Sequence, residues 1–462
     1  MPFIQNGAMQ GFELNKKYLA ELREVIHSGD EVSLLEFIDN LHPADIAEIL
    51  DQLSVEEGKP ILNSLDAQRA SEALMELDDE LRSDYLDLLS SKEIAQQFVE
   101  NLDSDDAADL VQELDEEKRK EVIREIEDVE VAEDLVDLLS YPEGTAGALM
   151  GKEYVWVNTN WSVAESVRQM RRQAEQMEQV YTVYVVDAHD KLLGRLPLKR
   201  LLTSSIKAKI QDVYSEKVRY VLATAPQEEV AQTMEKYDLV VIPVVDELNR
   251  LIGRITIDDV VDVIREEADK DYQLASGITE DVEITDSIWE LTRARLPWLI
   301  IGLFGGMLNA TIIGGYENAI ATIPALAFFM PLITATAGNV GVQSSAIIVQ
   351  GLANNSLSFN SVWSKLWKEL SVALLNGAVI SILAFALCHF MFGDDELGIT
   401  VSISLMSVIL LASLMGTIVP LGLDKYKIDP ALATGPFITT SNDIIGLFVY
   451  FTVGQLIYGG LL

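Results

Sequence analysis

The sequence predicts a multidomain membrane protein: an all-α N-terminal helical solenoid, a duplicated α/β module, and an α-helical membrane bundle of five transmembrane helices. Three observations point there. Nearly all the charge lies in residues 1–290, a strand–turn–strand pattern occurs twice, and five apolar runs follow one another from Trp298 onward. The chain of 462 residues carries 73 Asp and Glu against 34 Lys and Arg, a formal net charge of −39. Residues 291–462 hold 8 of those acids and 6 of those bases, which leaves residues 1–290 with 65 acids, 28 bases and a net −37. Such acidity excludes a nucleic-acid partner, which would need a basic footprint. The single cysteine, Cys388, excludes an intrachain disulfide scaffold.

Residues 1–139 read as an acidic helical domain. Asp45–Leu53, Arg69–Leu77, Asp106–Leu114 and Val131–Leu139 share apolar residues at helical spacing, and the short polar joins between them offer Asp or Ser as N-caps. This recurrence predicts stacked helical hairpins, a small solenoid with no catalytic constellation.

Residues 140–265 contain an internal duplication. Val180–Asp187 with Lys191–Leu196 matches Leu239–Asp246 with Arg250–Ile255, 59 positions later throughout. Each copy reads as strand, Asp-containing turn, strand and helix, preceded by an amphipathic helix (Val163, Val167 and Met170 in one, Val230 and Met234 in the other). The pattern resembles a pair of CBS (cystathionine-β-synthase-type) repeats, an α/β CBS pair. That resemblance implies an adenine-nucleotide site, with ATP as ligand, built from a Ser or Thr and an Asp after the second strand. Thr256 and Asp258 hold those places in the second copy. The first copy has Pro197-Leu-Lys-Arg200 instead, without the acid, so the reading favours a folded regulatory scaffold over a nucleotide sensor.

Residues 266–292 are expected to connect this module to the membrane as a helix rich in carboxylates. Asp258, Asp262 and Glu266 recur every four residues just before and into it, and like charges at that spacing destabilise a helix modestly. One reading is a solvated face. The other is a self-repelling surface relieved by bridging divalent cations.

Residues 293–462 form the membrane domain. The apolar runs are Trp298–Gly315, Ala319–Ala353 (interrupted by Pro324 and Pro331), Leu370–Phe392, Ile399–Leu423 and Ala431–Leu462, each long enough for the ~20 residues of a spanning helix. Arg293 and Arg295, Lys365 and Lys368, and Lys425 and Lys427 fall at alternate span ends, while the other loops carry only acids. The positive-inside rule then puts the N-terminal domains in the cytoplasm and Leu462 outside. The first 30 residues hold no signal-type apolar run.

Polar residues inside spans mark function, because burying them in lipid is costly. Asp443 is the one acid deep in the fifth run, one helical turn beyond Thr439, with His389 near the outer end of the third run as a conceivable partner. In the second run Gly338 and Gly341 allow close helix approach, and Asn339 and Gln343 share a face. One carboxylate with amides and carbonyls is an all-oxygen set suited to a hydrated hard cation. Oxygen chemistry alone leaves Mg²⁺, Mn²⁺, Ca²⁺ and Co²⁺ open.

The whole order resembles the MgtE family of bacterial magnesium channels. The residues that carry the likeness are Tyr141–Gly147 before the repeats, Pro331 with Gly338-Asn339-Val-Gly341-Val-Gln343, and Asp429-Pro-Ala-Leu with Asn442-Asp443. The resemblance implies a homodimer in the bacterial cell membrane, importing Mg²⁺ through a pore between subunits lined by the second and fifth spans. It implies Asp443, Asn339, Gln343 and Thr439 at the pore ion. It also implies that cytosolic Mg²⁺ closes the pore by binding acids that here are Asp105, Asp109, Glu228, Asp238, Asp259, Asp262 and Glu267. Pro226 and Lys270 stand where further acids would be expected. Competing readings are a proton-coupled divalent cation carrier, a CBS-regulated anion channel and a membrane enzyme. The spans offer no base for an anion path and no catalytic pair.

Overall fold

A computed structural model describes residues 14–175, 177, 179–279, 282, 287–353 and 362–459. It divides into two compact units, Met1–Arg265 and Glu266–Leu462.

The first unit opens with ten helices: α1 (Lys16–Ser28), α2 (Glu31–Ile38), α3 (Pro43–Asp51), α4 (Val55–Ser64), α5 (Ala67–Met75), α6 (Asp79–Asp87), α7 (Ser91–Glu93), α8 (Ser104–Glu113), α9 (Glu116–Glu125) and α10 (Val129–Leu138). The four recurring segments fall in α3, α5, α8 and α10, and the helices between them complete the hairpins. The polar joins cap as expected. Ser54 and Ser90 each form a capping box with Glu57 and Glu93, and Asp66, Asp115 and Asp128 accept first-turn N–H groups. Long cations tie one hairpin to the next. Arg69 donates to the Ile38 and Leu41 carbonyls, Lys118 to the Leu86 carbonyl, and the buried Arg82 pairs with Glu113. Between α7 and Asp103 the helix widens into a π turn, Ile94–Phe98, and then tightens at Val99–Asn101.

Each repeat then forms a three-stranded sheet. In the first, β1 (Val155–Asn158) lies parallel to β2 (Val183–Val186), which is antiparallel to β3 (Leu192–Arg195). In the second, β4 (Val221–Leu222), β5 (Val241–Val245) and β6 (Leu251–Thr256) repeat that order. The crossovers are α11 (Val163–Gln173) and α13 (Gln227–Tyr237), and α12 (Leu198–Thr203) and α14 (Ile257–Ala275) follow the last strands. The duplication extends to detail. Register shifts fall at Val185/Val186 and Val244/Val245, and Asp187 and Asp246 each accept two N–H groups of their own turn. The two turns clasp reciprocally: Leu192 N–H donates to the Asn249 carbonyl (2.9 Å), and Leu251 N–H to the Asp190 carbonyl (3.0 Å). The first repeat keeps its own small core around Val157, Val185 and Ile210, while the second shares one continuous core with α1–α10. The first strand of each repeat was not anticipated.

The expected connector at 266–292 is divided. Acid-rich α14 begins at Ile257 and ends at Ala275, and α15 (Ile288–Gly315) starts before the first apolar run. The second expected span also breaks. Pro324 separates a short α16 (Glu317–Thr322) from α17 (Ala325–Ala353), whereas Pro331 is accommodated within α17. A proline fits the first turn of a helix, where its missing N–H has no partner to lose. α18 (Val362–Phe392), α19 (Asp395–Lys425) and α20 (Gly435–Ile457) complete the unit. The five helices long and apolar enough to cross a membrane are α15, α17, α18, α19 and α20. α19 is the most buried and packs against α17, α18 and α20. Its small residues make that contact, and a Cβ on Gly416 would lie 2.4 Å from the Gly341 carbonyl oxygen and 3.1 Å from the Ser345 nitrogen. Between spans, packing rather than hydrophobicity holds helices together, so such close approaches count.

The obstruction at Gly416 is backbone and cannot swing aside. Gly416→Ala is therefore expected to cost about 1–3 kcal/mol and lower the thermal midpoint of detergent-solubilised protein. Gly422→Ala, whose Cβ meets nothing within 4 Å, is expected to leave it unchanged or raise it; equal effects of the two substitutions would contradict this packing.

Candidate metal centres

Three segments bring a group of carboxylates together in the first unit. Asp103 is the residue before α8, and Asp105 and Asp106 lie in its first turn, where the helix dipole favours negative charge. Glu153 arrives on the segment before β1. Gly151 there exchanges two backbone hydrogen bonds with Arg254 of β6 (2.8 and 2.9 Å), which fixes the approach. Asp259 lies in the first turn of α14. Asp103, Asp105 and Glu153 each present one carboxylate oxygen within 4.8 Å of the other two. Gly151 makes this possible, because a Cβ there would sit 2.6 Å from Asp105 Oδ2 and 2.9 Å from Glu153 Oε2.

The group is short of positive charge. Arg254 bonds Asp103 Oδ2 at 3.1 Å and donates to the Glu153 carbonyl. Burial pushes Asp105 well above the usual carboxylate range; Asp259, Glu153 and Asp106 push further and Arg254 opposes them. Asp106 is pushed up to about 7, first by burial, then by Asp259, Asp109, Asp103 and Asp258. Burial likewise raises Asp259, although Thr256 donates both its N–H (2.9 Å) and its hydroxyl (2.6 Å) to Asp259 Oδ2. Glu153 is raised by burial and Asp103, against two hydrogen bonds from Ser104. An all-carboxylate group of this kind fits a hard divalent cation such as Mg²⁺ or Ca²⁺, and it lacks the thiol and imidazole donors that softer metals favour.

Of the acids named for a sensor, Asp105 and Asp259 are in this group and exposed Asp109 borders it through Asp106. Glu228 and Asp238 sit at opposite ends of α13, and Asp262 is exposed on α14. None of those three joins the group among the described residues. Glu267, in the second unit, is ion-paired with Lys270 at 3.4 Å. Nearby Asp271 is raised by burial, then by Asp429 and Glu267. For the nucleotide pair, the Thr256 hydroxyl is engaged by Asp259, and Asp258 is exposed.

The intramembrane residues meet where α20 crosses α17. A Cβ on Gly338 would lie 3.1 Å from Thr439 Cγ2 and 3.9 Å from Asp443 Oδ1, so both side chains pass over that glycine. Asn442 covers Gly341, is 2% exposed, and its Nδ2 has no hydrogen-bond partner among the described residues. Thr439 donates its hydroxyl to the Gly435 carbonyl (2.9 Å). Asn339 and Gln343 are exposed on α17, on a face this single chain leaves uncovered. His389 does not serve Asp443; it lies 2.6 Å from Asp395 at the α18–α19 junction.

Family models match in the same order as these parts: an MgtE intracellular N domain over residues 41–144, CBS domains over 146–207 and 210–266, and MgtE, a divalent cation transporter, over 330–453. The magnesium transporter MgtE of Bacillus subtilis (strain 168) is 36% identical over 316 residues, 68% of this chain and 70% of the relative. The chain belongs to the MgtE family. A second relative, the magnesium transporter MgtE of Thermus thermophilus, is 35% identical over 327 residues, 69% of this chain and 71% of the relative. Among solved structures, the cytosolic domain of the Mg²⁺ channel MgtE in complex with ATP matches with 35% identity and a TM-score of 0.50, covering 53% of this chain and 99% of that one. As an MgtE family member with five apolar helices, the chain is a multi-pass membrane protein.

Asp103, Asp106, Glu153 and Arg254 escaped the sequence reading. The signal available was the pair Gly151 and Glu153 flanking Lys152 just before an apolar strand, which is weak by itself.

The raised carboxyls set the sign of a pH effect. A group with a folded pKa above its unfolded value contributes stability that is complete below the unfolded value and lost as pH rises through the folded one. For Asp106 that window runs from 3.8 to about 7. In chelator, the full-length protein is therefore expected to unfold at lower temperature at pH 8 than at pH 5.5 by scanning calorimetry. Millimolar Mg²⁺ should recover more at pH 8, where protons no longer compete. A midpoint that rises with pH in chelator would contradict the assignment.

Proposed function

We propose that the chain imports Mg²⁺ through a membrane pore and closes that pore when Mg²⁺ binds its acidic first unit, on the cytoplasmic side. The observation that carries this is the carboxylate group around Asp105, whose negative charge Arg254 alone offsets. Divalent binding there favours the compact arrangement of α8, the Glu153 segment and α14, so that arrangement dominates when Mg²⁺ is plentiful. Asp259 is the ligand that ties the helical domain to the second repeat, with Asp109 as a neighbouring donor. The relatives' printed function, magnesium transport, supports the choice of ion.

The conduit in this proposal runs past Asp443 and Thr439 on α20 and the exposed Asn339 and Gln343 on α17. A second copy of the chain would cover that exposed face, giving a homodimer with the pore at the seam. A carboxylate with amide oxygens binds a hydrated ion without stripping its waters, which Mg²⁺ releases reluctantly. The bases at alternate span ends support a cytoplasmic first unit. ATP, named with the relative's cytosolic domain, is a further ligand candidate here, and its binding at Thr256 would draw on the hydroxyl now held by Asp259.

Asp443→Ala is expected to bring Mg²⁺ flux into proteoliposomes down to that of empty vesicles, read with an entrapped Mg²⁺ dye. Wild-type flux in a folded variant would end the pore assignment. Asp105→Asn with Asp259→Asn is expected to shift the internal Mg²⁺ concentration that halves patch-clamp current upward by about tenfold or more, the usual scale for losing metal-site support. Currents suppressed at the wild-type Mg²⁺ concentration would refute the sensor.

A further inference from the structure

The second unit holds a cavity that the transport reading does not use. It has a volume of about 490 Å³ and lies between α17, α18 and α19. Lys365 and Lys368 stand on its wall from the second turn of α18, with Glu369 beside them and Asn376 two turns on. Val340 and Ile347 of α17 and Val372 of α18 make the apolar part.

Glu369 is fixed at the back of this cavity. Its Oε1 accepts the Ser344 hydroxyl from α17 (2.6 Å) and the Ser413 hydroxyl from α19 (3.2 Å). Among the described residues no hydrogen bond reaches Oε2. The carboxylate thus joins three helices through one oxygen and leaves the other facing the cavity. Two lysines against one carboxylate make the lining net positive, which suits an anion and opposes a bare divalent cation. The lysines sit at the base-bearing span ends, the level at which lipid phosphates lie, and basic pockets between spans suit anionic headgroups. Apolar walls beside a polar floor ask for an amphiphile, and the volume exceeds what one ion needs.

We propose that this cavity binds the headgroup of an anionic phospholipid, of the phosphatidylglycerol type. The phosphate lies against Lys365 and Lys368. The headgroup hydroxyls donate to Glu369 Oε2 and meet the Asn376 amide. The first methylenes of the chains lie on Val340, Ile347 and Val372.

The test uses the full-length protein in nanodiscs of phosphatidylcholine with and without phosphatidylglycerol, with retained lipid counted by native mass spectrometry. The expected result is preferential retention of phosphatidylglycerol. K365Q/K368Q should weaken that retention about fivefold per lysine, and K365R/K368R should keep it. The arginine pair guards against a loss caused only by misfolding. Equal retention of both lipids overturns the proposal, as does undiminished phosphatidylglycerol on K365Q/K368Q. Displacement of the lipid by millimolar glycerol 3-phosphate or inorganic phosphate would assign the site to a free anion instead. Separation of subunits in K365Q/K368Q with lipid retention unchanged would make this face a contact between copies of the chain.

Discussion

Carboxylates crowded around one guanidinium are the constraint on which the first unit turns. Asp105 is nearly inaccessible to water, yet its nearest charged neighbours include Asp259, Glu153 and Asp106. Burying charge is tolerated when it is paired, and Arg254 can pair with only part of the group. The chain places this deficit where three separate segments must meet. A structural core would avoid that expense, whereas a site that needs an external cation to complete it would require it.

The membrane unit solves a different problem with small residues. Gly338, Gly341 and Gly416 let α17, α19 and α20 approach until side chains of one helix lie on the backbone of the next. Asn442 reaches Gly341 because nothing projects there, and Asp443 follows on the same helix one residue later. The glycines therefore decide where the carboxylate of α20 stands as much as α20 does. Their sequence signature was mostly that of packing, and only the neighbouring polar residues made it read as more.

The helical parts were legible because apolar period and Asp or Ser caps are local signals. The repeats were legible because the duplication is literal, down to Asp187 and Asp246 in their turns. β1 and β4 were not, since a four-residue and a two-residue strand leave no period to read. Pro324 and Pro331 look equivalent in sequence, and only their place relative to the first turn of α17 separates them. The site divides in the same way. Asp105 and Asp259 came through family resemblance. Asp106, Glu153 and Arg254 acquire their meaning from burial and from contacts across roughly 50 and 100 positions of chain, such as Ser104 with Glu153 and Glu153 with Arg254.

The reciprocal clasp between the two repeats has an evolutionary corollary. Each half holds the other through main-chain atoms, Leu192 with Asn249 and Leu251 with Asp190, so neither depends on its partner's side chains at that seam. One half is then free to drift. The Pro197–Arg200 segment has done so, while its counterpart after β6 retained Thr256, Asp258 and Asp259. A gene that doubles such a fold obtains a scaffold and a specialist from the same stock, with the symmetry of the backbone outliving the symmetry of the chemistry.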